Sequence, residues 1–186
     1  MIVLVRADAS AEIGSGHVMR CAALGLRLMT RGAALHFVCA SLPERLGDWL
    51  RGRGFGLTVL PAASLGDWNA DLAATCEVTR GIGRVDLLVV DHYRLARSWE
   101  RGMRPHVRRI LVIDDLADRD HDCDFLLDEN LHDDAPPRCG QRVAHGTRQF
   151  HGPRYALLRP EFDEPGLDRI RDGSVKHLLV FFGGTD

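Results

Sequence analysis

The chain has 186 residues, enough for one good-sized hydrophobic core together with the beginning of a second domain. Its formal net charge is -2 and its isoelectric point is about 6.5, with Lys and Arg scattered among Asp and Glu. Because the basic residues are not gathered in one block, this composition argues against a nucleic-acid-binding protein, and we expect no nucleic-acid partner.

The cysteines are widely spaced and include no C-x-x-C pair, and they are odd in number: Cys21, Cys39, Cys76, Cys123 and Cys139. This pattern argues against a disulfide framework and a zinc site, and it favours the reducing cytoplasm. The amino terminus reaches the charged Arg6 directly after an apolar run, without a preceding basic segment, and so predicts a strand rather than a signal peptide. No stretch approaches the roughly 20 apolar residues that span a bilayer, and we expect no membrane partner.

Apolar runs of strand length recur along the chain, and several are continuous rather than alternating. They lie at residues 2–5, 35–39, 57–60, 87–90 and 110–113, with a weaker run at 125–127. Continuous runs are typical of a parallel sheet covered by helices on both faces. Helical spacing of apolar residues lies between them, at 18–29, 42–51, 71–79 and 96–103. This alternation predicts a Rossmann-like, doubly wound α/β domain over residues 1–132.

A polar, proline-containing stretch begins near Asp133, and regular periodicity is lost through Asp172. We interpret residues 133–174 as a connector. A new apolar strand begins at Lys176 and leads into Gly-Gly-Thr-Asp at residues 183–186, a turn that normally opens a strand-to-helix unit. Residues 175–186 therefore indicate the first strand of a truncated carboxyl-terminal domain.

The loop after the first strand contains two closely spaced glycines and leads into an amphipathic helix. Gly14 and Gly16 let the backbone approach a ligand, and the helix start offers N–H groups and positive potential to an anion. A phosphorylated ligand suits such a loop. The third glycine of the dinucleotide fingerprint is missing, so NAD is not implied and we predict no cofactor.

His17 lies in the first turn of that helix, where the positive end of the helix dipole favours a neutral imidazole. A neutral ring can take a proton from water, which makes His17 a candidate general base. The alternative from spacing alone is a histidine that only caps the helix or packs beneath the loop.

Other candidates lie where buried strands end, the edge at which open α/β sheets bind ligands. They are Asp91-His92-Tyr93 and Asp114-Asp115. The paired carboxylates suit Mg²⁺, and they equally suit capping the next helix or orienting a loop. The cluster at residues 121–124, His-Asp-Cys-Asp, lacks a second Cys/His pair at metal-binding spacing, so we predict no metal site.

A series of motifs then follows in one order along the chain. They are Arg6-x-Asp8 with GSGHVMRC (14–21), VDHY (90–93), VIDDLADR (112–119), CDFLLDEN (123–130), GPRYALLRPEF (152–162) and FGGTD (182–186). Together they resemble the UDP-2,4-diacetamido-2,4,6-trideoxy-β-L-altropyranose hydrolases of pseudaminic acid synthesis and related polysaccharide enzymes. Only the Gly-x-Gly-His motif is specific by itself.

The resemblance implies a GT-B-like fold, in which two Rossmann-like domains face each other and the carboxyl-terminal one holds most of the nucleotide. It implies metal-independent hydrolysis of a UDP-sugar at the anomeric carbon, with inversion and release of UDP. By motif position, His17 would activate the water. Substrate-binding roles are implied for Asp8, Gly14, Ser15, Gly16, Arg20 and Tyr93, and for a second set, Asp115, Asn130, Tyr155 and Arg159.

Because most of the family's nucleotide site lies beyond the Gly-Gly-Thr-Asp turn, we expect this chain alone to bind a UDP-sugar poorly and to turn over little. Relatives that act on other diamino sugars could share the same motifs, so the sugar is an expectation at the level of the family. Two other functions stay open. One is a glycosyltransferase, which shares the GT-B architecture, and the other is a non-catalytic truncated module.

Overall fold

The computed structural model describes residues 1–131, 142–163, 175 and 178–180. Its strands are β1 (Ile2–Ala7), β2 (Ala34–Cys39), β3 (Gly56–Val59), β4 (Leu87–Asp91), β5 (Ile110–Ile113), β6 (Phe125–Asp128) and β7 (Arg148–His151). Its helices are α1 (Gly16–Met29), α2 (Glu44–Gly52), α3 (Trp68–Ile82) and α4 (Arg97–Met103). The strands form one parallel sheet in the order β3-β2-β1-β4-β5-β6-β7. The predicted Rossmann-like α/β fold is confirmed.

Helices cover both faces of the sheet, and the sheet separates the core into two apolar layers. Helices α1 and α2 pack into one layer through residues such as Val18 and Leu50. Helices α3 and α4 pack into the other, in which Trp99 is fully buried. Successive residues of β1 alternate between the layers, with Leu4 in the second and Val5 in the first. Burial on both faces explains why these strands are continuously apolar. No helix in the described part of the chain is long and apolar enough to cross a membrane.

The element bounds differ from the predicted ones chiefly where polar residues take part. Helix α3 begins before residue 71 because the Asp67 side chain caps it, accepting hydrogen bonds from the backbone N–H groups of Asn69 and Ala70. The predicted strand beginning at Lys176 lies largely outside the described residues. Of its residues that the structure describes, those at 178–180 are exposed and belong to no strand.

Strand β7 was not predicted, because its sequence, Arg-Gln-Phe-His, has no apolar run. It pairs in parallel with β6 and is the outermost strand among the residues that the structure describes, with one neighbour there. The strand falls in the range predicted as a connector. The sheet therefore extends farther along the chain than the predicted boundary at residue 132.

Buried charges join the middle of the sheet to α3. Arg6, on the central strand β1, is 1% exposed and bonds through its guanidinium to the carboxylates of Asp8 and Asp71, each at 2.5 Å. Asp71 also accepts a hydrogen bond from Trp99 Nε1 at 2.9 Å. A buried charge is tolerated when its partners satisfy it, and this network fixes Asp8 at the carboxyl end of β1.

The cluster at residues 121–124 forms ion pairs that connect α4 to β6. His121 is 1% exposed and lies between Glu100 Oε1, 2.6 Å from its Nδ1, and Asp114 Oδ2, 3.5 Å from its Nε2. Burial alone would lower the pKa of His121, but these two carboxylates raise it to about 9. The neighbouring carboxylates pair with arginines that precede β5: Asp122 with Arg101 and Arg104, and Asp124 with Arg104 and Arg109.

Candidate active site

The candidate site lies at the carboxyl edge of the sheet, where the strand order reverses between β1 and β4. The chain passes from β1 outward to β2 and β3, and then returns to β4 on the other side of β1. Ala7 of β1 pairs with Asp91 of β4, so the residues that follow these strands meet. A crevice at such a reversal is where open α/β sheets bind ligands. A cleft of about 550 Å³ lies here, and its lining includes Asp8, His17, Asp91, His92, Tyr93 and Arg94.

The loop that leads into α1 is closed on itself. The backbones of Ser10 and Gly14 exchange N–H···O bonds of 3.3 and 2.9 Å, and Gly14 has a φ of 71°, a left-handed conformation that favours glycine. Ser15 is the N-cap residue of α1 but makes no side-chain cap hydrogen bond. The first N–H groups of the helix therefore lack this cap, but Gly14, Ser15 and Gly16 are not among the residues that line the cleft, and their contact with an anion stays a prediction. Gly16 has no atom within 4 Å of the position that a Cβ would occupy, so packing within the chain does not require glycine there.

His17 and Asp91 form a buried hydrogen-bonded pair. His17 is 5% exposed, and its Nδ1 lies 2.5 Å from Asp91 Oδ1. An ionised carboxylate only accepts hydrogen bonds, so we assign the Nδ1 proton to this bond. Nε2 has no hydrogen-bond partner within the described ranges, and His17 lines the cleft. The ring can therefore accept a proton at Nε2.

Arg20, on the next turn of α1, holds the Asp91 carboxylate in place. Its Nε and Nη2 atoms donate to Asp91 Oδ2 and Oδ1 at 2.6 and 2.7 Å. Burial alone would raise the pKa of Asp91, but hydrogen bonds from Arg20 and His17 hold it below the usual value. The charged carboxylate can therefore orient His17 and stabilise an imidazolium, which is the arrangement of an activated base.

Two further carboxylates surround Arg20. Its Nη1 lies 3.3 Å from Glu129 Oε1 and 3.7 Å from Asp115 Oδ2. Asp115 Oδ1 is buried and has no hydrogen-bond partner in the described part of the chain. Arg20 is thus engaged by protein groups. Neither Arg20 nor Asp115 is among the residues that line the cleft, and direct contacts of the two with substrate stay predictions.

Asp8 lines the cleft, but protein groups already bond both of its oxygens. Oδ1 accepts from Arg6 and from the backbone N–H of Ala40 at 2.7 Å, and Oδ2 lies 3.1 Å from His92 Nε2. Because His92 Nδ1 accepts from the backbone N–H of Arg94, its proton lies on Nε2 and is donated to Asp8. Burial would raise the pKa of Asp8, and the bonds from His92 and Arg6 lower it strongly. This environment makes Asp8 a fixed anion, and its contact with substrate stays a prediction.

The remaining predicted residues divide between the cleft and other places. Tyr93 is 41% exposed in the cleft, and its ring packs edge-on against His17 with a centroid distance of 4.5 Å. Asn130 lies in a bend after β6, where its backbone N–H donates to Asp128 Oδ1. Tyr155 packs against Phe150, and Arg159 lies over Phe162. Asn130, Tyr155 and Arg159 do not line the cleft, and no contact joins them to His17 among the described residues.

Asp114 and Asp115 are the paired carboxylates at the end of β5. The sequence left open whether they bind Mg²⁺, cap a helix or orient a loop, and Asp114 orients a loop. It accepts hydrogen bonds from the backbone N–H groups of Leu116 and Ala117, at 3.4 and 3.1 Å, and pairs with Arg119 at 2.9 Å. Arg119 in turn donates to the carbonyl oxygens of His92 and Leu95, at 3.2 and 3.3 Å. Asp114 therefore helps to hold the loop that carries Tyr93.

Asp91, which bonds to His17, and Glu129, which bonds to Arg20, were not among the predicted site residues. Asp91 stood only as a candidate by position, at the end of a buried strand, and nothing in the sequence joined it to His17. Glu129 lies in the CDFLLDEN motif but gave no signal of its own, because its partner Arg20 lies 109 positions earlier. Only the parallel order of β1, β4, β5 and β6 brings these groups together.

The fold and site thus define a Rossmann-type α/β protein with a carboxylate-oriented histidine in its switch-point cleft. The chain is 26% identical over 194 residues to the UDP-2,4-diacetamido-2,4,6-trideoxy-beta-L-altropyranose hydrolase of Campylobacter jejuni subsp. jejuni, covering 100% of this chain and 61% of that relative. It is 21% identical over 190 residues to an uncharacterized protein of Methanocaldococcus jannaschii, covering 100% of this chain and 37% of the relative. No family model matches the chain. The chain is therefore distantly similar to a nucleotide-sugar hydrolase and spans less than two thirds of the length of either relative.

Proposed function

We propose that this chain carries the catalytic base of a nucleotide-sugar hydrolase, which releases UDP from a UDP-linked 2,4-diacetamido-trideoxy sugar. The observation that carries the proposal is the buried hydrogen bond between Asp91 and His17 Nδ1, at 2.5 Å, in a cleft at the switch point of the sheet. The distant similarity to the hydrolase of Campylobacter jejuni supports the substrate class.

In the proposed reaction, His17 Nε2 accepts a proton from water while the water oxygen attacks the anomeric carbon. The bond between that carbon and the diphosphate oxygen breaks, and its electron pair leaves with UDP. Attack from the face opposite UDP inverts the anomeric configuration. Asp91 stabilises the imidazolium formed, which then returns its proton to solvent. The scheme assigns no step to a metal or a cofactor.

The leaving diphosphate needs stabilisation of its charge more than it needs a proton, because it is already a good leaving group. The N–H groups at the start of α1, which lack a side-chain cap, suit this task. In the proposal, Gly14, Ser15 and Gly16 face the diphosphate. Tyr93, which packs against the His17 ring, offers its hydroxyl to the sugar.

The proposal extends to the architecture of the whole protein. By resemblance of the motifs, residues 1–132 correspond to the amino-terminal domain of a GT-B-like pair and residues 175–186 to the start of the nucleotide-holding domain. Binding of UDP would then depend mainly on that second domain, and the isolated chain is expected to turn over little.

The test is an assay of UDP release by the complete gene product, with the anomer formed first identified by proton NMR. His17→Ala should lower kcat/KM by about 10²-fold to 10⁴-fold, the usual contribution of a general base. His106→Gln is the matched control, because His106 does not line the cleft. Initial retention of configuration, or release that strictly requires an added acceptor, would contradict hydrolysis assisted by His17; the second result would indicate a glycosyltransferase.

A further inference from the structure

Glu129 lies directly after β6 and bonds to a different nitrogen of Arg20 than Asp91 does. Asp91 takes the Nε and Nη2 atoms of the guanidinium, and Glu129 Oε1 takes Nη1 at 3.3 Å. The two-point bond to Asp91 sets the plane of the guanidinium relative to that carboxylate, and the bond at the third nitrogen ties the Arg20–Asp91 pair to the segment after β6. Asp115 Oδ2 lies farther from the same nitrogen, at 3.7 Å, so Glu129 is the nearer carboxylate that fixes where the Arg20–Asp91 pair sits.

The other oxygen of Glu129 is also occupied. Oε2 accepts a hydrogen bond from the backbone N–H of Leu157 at 2.9 Å. A continuous series of bonds thus runs from the segment after β7 through Glu129, Arg20 and Asp91 to His17 Nδ1. The Glu129 side chain is only 20% exposed, so solvent weakens these bonds less than it would at the surface.

We infer that Glu129 is a positioning residue for the base His17, acting through Arg20 and Asp91. This inference rests on the proposed function, because it assigns Glu129 to the same base. Glu129 has no contact with His17, and its effect is on the orientation of the imidazole. A shift of the base by about 1 Å can cost up to 10²-fold in rate, so the loss of this support should be measurable.

Glu129→Gln tests the inference in two ways. The amide of glutamine can accept either from Arg20 or from Leu157, but its NH₂ group then faces the other donor, so one of the two bonds is lost. We expect kcat of the complete gene product to fall about 10-fold to 100-fold while KM changes little, because only the base is misplaced. In the ¹⁵N-labelled chain, we expect the His17 Nδ1–H proton resonance to shift or broaden, whether or not the chain is active.

Two companion variants separate positioning from general damage. Glu77→Gln makes the same chemical change at an exposed position on α3 and should leave kcat and the His17 signal unchanged. Glu129→Asp keeps the charge and shortens the side chain; it should give an intermediate loss, and it serves as the test if Glu129→Gln does not fold.

An unchanged kcat and an unchanged His17 resonance in the folded Glu129 variants would overturn the inference. So would an equal rise of KM and fall of kcat, which would indicate general damage to the cleft. If His17→Ala releases UDP at the full rate, the proposed function itself fails. If His17→Ala is inactive while Glu129→Gln is normal, only the inference about Glu129 fails.

Discussion

Replacing Asp91 by asparagine removes one charge and turns one acceptor oxygen into an NH₂ donor. In the structure, Asp91 Oδ2 accepts from Arg20 Nε, and Oδ1 accepts from both Arg20 Nη2 and His17 Nδ1. The side-chain amide of asparagine can be placed in two orientations, related by a 180° flip. In either one, its NH₂ group faces at least one N–H donor of Arg20. In one of the two orientations it also meets His17 Nδ1, which would drive the ring to the other tautomer and remove the acceptor at Nε2.

The magnitude follows from the burial of the pair. The Asp91 side chain is 0% exposed and that of Arg20 is 16% exposed. Removing one partner of a buried ion pair costs about 3–5 kcal/mol, and we expect the lower end, about 3 kcal/mol, because Arg20 keeps Glu129 and Asp115. In a domain of this size each kcal/mol lowers Tm by about 2–4 °C, so the expected decrease is roughly 6–12 °C. We expect kcat/KM to fall by about 10²-fold to 10⁴-fold, since the base loses its orienting group.

Thermal unfolding and the UDP-release assay measure the two effects separately. Asp86→Asn is the matched control, because Asp86 Oδ2 accepts one backbone hydrogen bond, from Ile2 at 2.9 Å, which the asparagine oxygen can keep. The free energy of unfolding of that control should fall by less than about 1 kcal/mol, and its activity should be unchanged. If Asp91→Asn has the same Tm as the control variant and hydrolyses substrate at the normal rate, Asp91 is not the group that orients His17.

Stability should also depend on pH through His121, whose pKa is raised from 6.5 to about 9 by the buried carboxylates of Glu100 and Asp114. This stabilisation, roughly 3 kcal/mol, is fully present below about pH 6.5 and is lost as the pH rises through about 9. Urea unfolding at about pH 6 and about pH 10 measures it, and an equally steep loss in His121→Gln would contradict the assignment. Gly14→Ala should lower the free energy of unfolding by about 1 kcal/mol, because alanine is strained at the positive φ of this position. Gly52→Ala is the control, because φ is not positive at Gly52. Equal stability of the two variants in urea unfolding would contradict a strained backbone at Gly14.

The sequence predicted the inner part of the sheet well because burial on both faces leaves a continuous apolar run. Strand β5 was predicted with its observed bounds, residues 110–113, and β1, β2, β4 and β6 were predicted slightly short. The start of α3 was placed too late because the capping Asp67 carries no apolar signal. Strand β7 was missed because an outer strand of polar residues differs little from a loop in its pattern.

The candidate site was predictable only in part, for a different reason. His17 and Tyr93 come from local motifs, and the structure places them in contact in the cleft. The link from His17 to Asp91 joins residues 74 positions apart, and no local pattern carries that information. Resemblance also brought in residues such as Tyr155, whose described contacts are with a neighbouring aromatic ring rather than the cleft. Pairing across a sheet depends on strand order, which a single sequence leaves open.

The short polar strand β7 also bears on how the molecule avoids self-association. Strand β6 is largely apolar. If β7 were absent, the N–H and C=O groups on the side of β6 that faces away from β5 would be free to pair with strands of other molecules. Strand β7 pairs with that side of β6 and presents Arg148, Gln149 and His151 instead. Charged and polar side chains on a four-residue outer strand make further edge-to-edge pairing unfavourable. A short polar strand that adds one aromatic ring, Phe150, to the core thus also makes edge-to-edge association of the sheet less favourable.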